Sequence, residues 1–285
     1  MKISLDKRKA IIAMIISAFA FSCMGVFIKY IGDIPTPQKA LLRSIVIMTI
    51  SFIMFKSQHH KINEIKHIKL LTLRSVLGTI GILFNYYAID HLILSDANVI
   101  FRLSTVFLLI TCYIFLGENL KGYQLIGIGI AFIGVIFIVK PSFDFDTFPF
   151  LIALAGSILS ALAYTTLRHL GPREKPITVV LFFSSFTALV LLPYIAFTYE
   201  PMTFIQIGFG IAAGLSAFVG QLGVTIAYKH APAKEVSIYG YLGVIFSAIF
   251  SIIFFKATPD IFSLVGYILV FTSAYYMYKK QLVEV

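Results

Sequence analysis

Ser95, Asn98, Arg102 and Thr105 bring polar groups into a segment that is otherwise nearly all apolar. Their spacing of i, i+3, i+7 and i+10 puts them on one face of a helix. Arg102 lies roughly 10 Å from the start of that helix at 1.5 Å per residue. A charge at such a depth in hydrocarbon costs about 2.5–3.5 kcal/mol, so it is expected to face a cavity or a partner. Snorkelling outward and capping neighbouring helix carbonyls are the competing fates. A guanidinium lining a chamber can grip a carboxylate or phosphate with paired N–H groups. The chemistry indicated is recognition of an anion.

Further polar groups recur at helical spacing elsewhere. Asn85 and Tyr86 adjoin in the third apolar segment; Ser157, Ser160, Tyr164 and Arg168 share a face of the sixth; Gln221, Thr225 and Tyr228 share one of the eighth. Ser237 and Tyr241 form a polar face in the ninth, with Tyr239 beside it. The candidate substrate-binding set is Arg102, Asn98, Tyr86, Asn85, Tyr164, Gln221, Thr225, Tyr239, Tyr241 and Ser237. Any single Ser or Thr can instead bond the backbone of its own helix. Lys29, Arg43, Arg74 and Arg168 fall near the ends of apolar segments, where snorkelling is expected. Asp90, His91 and Asp96 mark a turn that is either an entrance or a solvated loop. No Asp or Glu occupies the middle of any apolar segment. The deepest charge is therefore positive, which favours a substrate with an anionic or zwitterionic group; the tyrosines suit an aromatic moiety.

The elements that must hold these groups are membrane helices. The chain is 59% hydrophobic and 13% charged, with a mean hydropathy of +0.93, about half the charge of a soluble domain. Ten spans are expected, at 10–30, 39–56, 71–90, 95–116, 121–139, 149–168, 177–198, 203–228, 235–255 and 260–278. They consume almost the whole chain and leave no room for a soluble domain. Seventeen of the 23 Lys and Arg fall on one side when the ends are numbered alternately. The net charge of +10 is thus an orienting device rather than a nucleic-acid footprint, and it places both termini in the cytoplasm. The first span follows Lys7-Arg8-Lys9 but lacks a small-residue cleavage site before Lys29, so it is read as retained. Two isolated cysteines, Cys23 and Cys112, make neither a disulfide framework nor a zinc site.

The chain also repeats itself. Residues 86–140 align without a gap on 225–279 at an offset of 139, with identities that include Ala88/Ala227, His91/His230, Leu103/Leu242, Gly127/Gly266 and Lys140/Lys279. The first spans of the two copies align at an offset of 140, through Ile12/Ile152, Ala13/Ala153 and Ser17/Ser157. The expected organisation is a five-helix repeat over 10–140, a linker at 141–148 and a second five-helix repeat over 149–279. An odd number of spans makes the second copy enter the membrane inverted, with a cavity at the junction. The expected fold is an all-α integral membrane protein of ten transmembrane helices in two inverted five-helix repeats around a central cavity. Small residues such as Gly127, Gly129, Gly134, Gly210, Gly214 and Gly220 mark close helix crossings.

With these residues in view, the chain resembles the drug/metabolite transporter superfamily, in its EamA-like branch, over nearly its whole length. The likeness rests on Asp96-Ala97-Asn98 through Phe107, on Phe115-Leu116-Gly117-Glu118-Asn119, and on Gly127 with the helix closing at Gly134-Val135. The second copy departs from the pattern, reading Phe255-Lys256-Ala257-Thr258-Pro259 where the family carries an acidic residue. A proline usual in the middle of the fourth span is also missing here, with Ser104 or Thr105 near its place. Gly220-Gln221, Thr225, Ala227-Tyr228, Ala231-Pro232-Ala233 and Arg168 with Gly171 are similar to bacterial members proposed to carry S-adenosylmethionine, riboflavin or related metabolites. The resemblance implies alternating access and no fixed substrate.

The expected function is secondary active or facilitative transport of a small organic metabolite across the cell (inner) membrane. A multidrug exporter or lipid-carrier flippase on the same fold is the alternative. Walker A and His-Glu-x-x-His patterns are absent, and all six histidines lie in loops or at span ends, so no catalytic residues, metal or cofactor are expected. The expected partners are the substrate and the bilayer, with monomer and homodimer both open.

Overall fold

The computed structural model describes residues 5–59, 65–117, 121–139, 147–171, 173–231, 236–256 and 259–283. These residues form ten α-helices and contain no strand: α1 Leu5–Ile31, α2 Thr36–Ser57, α3 Ile68–His91, α4 Leu94–Leu116, α5 Gly122–Val139, α6 Phe148–Leu170, α7 Pro176–Thr198, α8 Phe204–His230, α9 Leu242–Phe255 and α10 Ile261–Val283. A 3-10 turn, Ser237–Tyr241, precedes α9. Seven of the helices (α1–α4 and α6–α8) are long and apolar enough to cross a membrane. Large side chains such as Ile53, Phe115, Leu189, Phe204 and Ile268 point outward uncovered, as hydrocarbon-facing residues must. This is an all-helical, multi-pass membrane protein.

Helix boundaries follow local chemistry. Pro37 and Pro176 sit in the first turns of α2 and α7, where a missing N–H is harmless. Thr203 and Gln206 close a reciprocal capping box at the start of α8. Gly117 ends α4 with φ 67°, and Lys256, offset from it by 139, ends α9 with φ 51°. The same left-handed cap is therefore filled once by glycine and once by a residue that resists it. The 3-10 turn corrects the expected continuous ninth span over 235–255.

The packing has a pattern. Helices α1 and α8 pack together, as do α3 and α6; α1 meets α9, and α4 meets α6; α2 meets α8, and α3 meets α7. Exchanging each helix for the one five places along turns the first member of each of these couples into the second. The remaining main pairs, α2–α7, α4–α9 and α5–α10, map onto themselves.

Residue contacts repeat this at finer scale. Ser17 of α1 donates a 2.6 Å hydrogen bond to the carbonyl of Gly220 in α8. At Gly81 of α3 a Cβ would lie 3.6 Å from the carbonyl oxygen of Gly156 in α6. Gly81 is offset by 139 from Gly220, and Gly156 adjoins Ser157, the counterpart of Ser17, so the two crossings use corresponding stretches of the paired helices. In α5–α10, Ser273 donates to the Gly127 carbonyl, while a Cβ on Gly134 would stand 2.9 Å from the Gly266 oxygen. Later residues of α5 thus meet earlier residues of α10, and these two helices run antiparallel.

Candidate substrate-binding cavity

A cavity opens between α1, α2, α3, α4, α6, α7 and α8 and the 3-10 turn. It has about 80 Å³ for the centres of water-sized molecules, room for several waters where one needs about 10–15 Å³. On α3 its wall runs from Arg74 to Ile89, about 22 Å at 1.5 Å per residue.

Of the residues expected from sequence, Asn85, Tyr86, Asn98, Tyr164 and Gln221 line this cavity. Tyr86 is fully buried and its hydroxyl lies 3.3 Å from the sulfur of Met24. Asn98 donates to the Leu94 carbonyl one turn back, at 2.7 Å, which leaves its amide oxygen for other contacts. Tyr164 meets Tyr228 edge to face, with ring centroids 5.8 Å apart. Gln221 is buried, and its Nε2 has no hydrogen-bond partner among the described residues.

Three expected residues are not brought to the wall. Thr225 donates to its own helix, at the Gln221 carbonyl, 2.7 Å away. Tyr239 and Tyr241 sit on the 3-10 turn, where Gly240 alone among the described side chains and backbone reaches the cavity. Three residues per turn in place of 3.6 rotate their side chains off the face that an α-helix would present. The side chains of Arg102 and Ser237 lie outside the described residues.

The structure also corrects the expectation for Arg43 and Arg74. Both line the cavity and both are only 2% exposed. Each had fallen near the edge of an apolar segment, but α2 begins at Thr36 and α3 at Ile68. That puts Arg43 and Arg74 about 10 Å and 9 Å inside their helices, and their burial among neighbouring helices rules out a head that snorkels to water. The Arg74 guanidinium lies 3.7 Å from the ring centroid of Phe183, a cation–π stack that holds it flat. Its Nη1 comes so close to Gly78 that a Cβ there would stand 2.4 Å away, and a side chain at that position would have to displace the guanidinium or the Phe183 ring. Arg43 Nε and Arg74 Nε and Nη1 have no hydrogen-bond partner among the described residues. No Asp or Glu is among the described residues lining the cavity. The missed signal was helix length: the polar turns flanking each apolar run are also helical.

Asp90 and Asp96 are not loop residues. Both stand within helices. Asp90 pairs with the 1%-exposed Lys39 at 2.6 Å and accepts from Thr36 at 3.3 Å. Asp96 accepts from the Tyr267 hydroxyl. Lys29, another residue expected to snorkel, donates to the Leu92 carbonyl at 2.7 Å. Gln38 exchanges two hydrogen bonds with the backbone of Glu200, and Gln206 donates to the Ile31 carbonyl. Polar contacts therefore stitch the end of the bundle where α1 finishes and α2 begins.

Seven apolar helices of membrane length, enclosing a cavity into which buried polar side chains project, define a multi-pass membrane protein. The chain belongs to the EamA-like transporter family, which matches residues 8–140 and again 147–279. Its relatives include the pseudopaline exporter CntI of Pseudomonas aeruginosa, 24% identical over 92% of this chain and 93% of that one. Another is the human solute carrier family 35 member G1, 26% identical over 91% of this chain and 76% of its own length. A crystal structure of a protein 13% identical in sequence superposes with a TM-score of 0.74, covering 98% of this chain and 99% of that one; it speaks for the fold alone.

Proposed function

We propose that the protein moves a small organic metabolite bearing an anionic or zwitterionic group across the cell (inner) membrane by alternating access through this cavity. The observation that carries the reading is the pair of buried arginines, Arg43 and Arg74, facing a chamber with no described carboxylate. Buried charges without partners are expensive and are kept in membrane proteins where a pathway needs them. An anion entering the chamber would relieve that cost, whereas a purely cationic drug would add to it. This argues against the alternative of a cationic-drug exporter.

On this reading all ten helices are spans, arranged as two inverted five-helix repeats, 10–140 and 149–279 joined by 141–148. Its support is threefold: the family matches twice with both ends displaced by 139, helix pairing is unchanged by exchange of the halves, and the counterparts α5 and α10 run antiparallel. Two inverted halves around one chamber can rock to open it first to one side and then to the other. Proteoliposomes containing the purified protein and loaded with an anionic metabolite extract should release particular solutes, identified by mass spectrometry, faster than protein-free vesicles. Release no faster than from empty vesicles would defeat the reading.

A further inference from the structure

The two arginines do more than make the chamber positive: they approach it from opposite ends. Helices α2 and α3 are joined through residues 58–67, and the start of α2 meets the end of α3, where Thr36 and Lys39 both contact Asp90. They are therefore antiparallel. Measured down from that junction, Arg43 follows Thr36 by seven residues and Arg74 precedes Asp90 by sixteen. Their Cα atoms stand on the order of 14 Å apart along the bundle axis. Arg74 is pinned by Phe183 on one side and Gly78 on the other.

From this the geometry points to a dianion as the preferred cargo, one negative charge seated on Arg43 and the other on Arg74. The inference deepens the transport reading and rests on it for the process, but its content is the charge and form of the ligand. A monoanion brings one negative charge against two guanidiniums, so one positive charge stays uncompensated in the chamber. A molecule with two acidic groups, or one doubly charged phosphate reached by both side chains, relieves both at once. Arg74 Nε and Nη1 and Arg43 Nε offer N–H groups for this, and Gln221 Nε2 is a neutral donor in the same wall. Phe101, Phe183 and Ile82 supply apolar surface between the polar groups.

The test is ligand-dependent thermal stability of the full-length protein in detergent. The probes are straight-chain α,ω-dicarboxylates of four to eight carbons, a phosphomonoester, and monocarboxylates of equal length. A ligand that binds the folded state raises the melting temperature by an amount that grows with the logarithm of its concentration over its Kd. Dicarboxylates or the phosphomonoester should stabilise the protein at concentrations about tenfold or more below the matched monocarboxylates. R43Q and R74Q should each weaken the dianion on the order of ten- to a hundredfold, down to the monocarboxylate level. Without ligand, both variants should melt at or above the wild-type temperature, because each removes an uncompensated buried charge. A purely structural role for either arginine predicts the opposite sign.

Equal affinity for mono- and dianions, or unchanged dianion binding in both variants, would overturn the inference. Its failure is separable from failure of the transport reading. Vesicles that release only monoanions or neutral solutes sink the dianion and keep the transporter. Dianion-selective binding with no flux of any solute keeps the two-seat site and sinks transport.

Discussion

Lys39 shows what one residue can carry in this fold. Its ammonium is almost completely enclosed and its 2.6 Å pair with Asp90 is the strongest polar link between α2 and α3. Asp90 keeps partial contact with solvent, so the full 3–5 kcal/mol for breaking a buried pair does not apply. Lys39→Met should cost about 1–3 kcal/mol, read as a lower melting temperature in detergent. Replacing both partners, Lys39→Met with Asp90→Leu, should recover most of that loss, since the penalty comes from the orphaned carboxylate. A double variant no better than Lys39→Met alone would show that the pair is not the source. The arginines obey the opposite rule: unpaired as they stand, their removal should relieve the fold and weaken the ligand.

Among the helices, the ends of α4 and α9 offer a controlled comparison. Gly117 and Lys256 occupy offset-related positions and both adopt a left-handed backbone. A side chain there loses about 1–2 kcal/mol to contact with its carbonyl. Lys256 is exposed, so Lys256→Gly should raise stability by up to about 1 kcal/mol without touching the cavity. A melting temperature that falls would mean the Lys256 side chain has a stabilising role that its exposure hides. At this scale the chain's own pattern was legible for the seven helices long and apolar enough to cross a membrane and misleading at the start of the ninth segment. Nothing in the composition of 235–255 announces a 3-10 start. The turn is a small rotation of the backbone, yet it removes Tyr239 and Tyr241 from the wall. Thr225 was lost for a simpler reason: a threonine inside an apolar helix bonds its own carbonyl ladder when nothing else is offered.

For the whole molecule, the excess of Lys and Arg at one set of helix ends predicts cytoplasmic N- and C-termini. Fusion of a reporter that is active only in the cytoplasm to either terminus should give signal; a periplasm-only reporter should not. The opposite result would reverse the direction in which Arg43 and Arg74 are met by a solute. Helix order, the apolar surface and the polarity of loop charges are local properties of the chain. They follow from hydropathy over stretches of about twenty residues, and the duplication follows from a constant offset; no tertiary contact is needed to see either. Which charges share a chamber is a different kind of fact. Arg43 and Arg74 are about thirty positions apart, on helices running in opposite directions, and each looked like an end-of-span residue on its own. Only the packing of α2, α3 and α7 against one another turns them inward together, because burial of a guanidinium is decided by the neighbours that close over it.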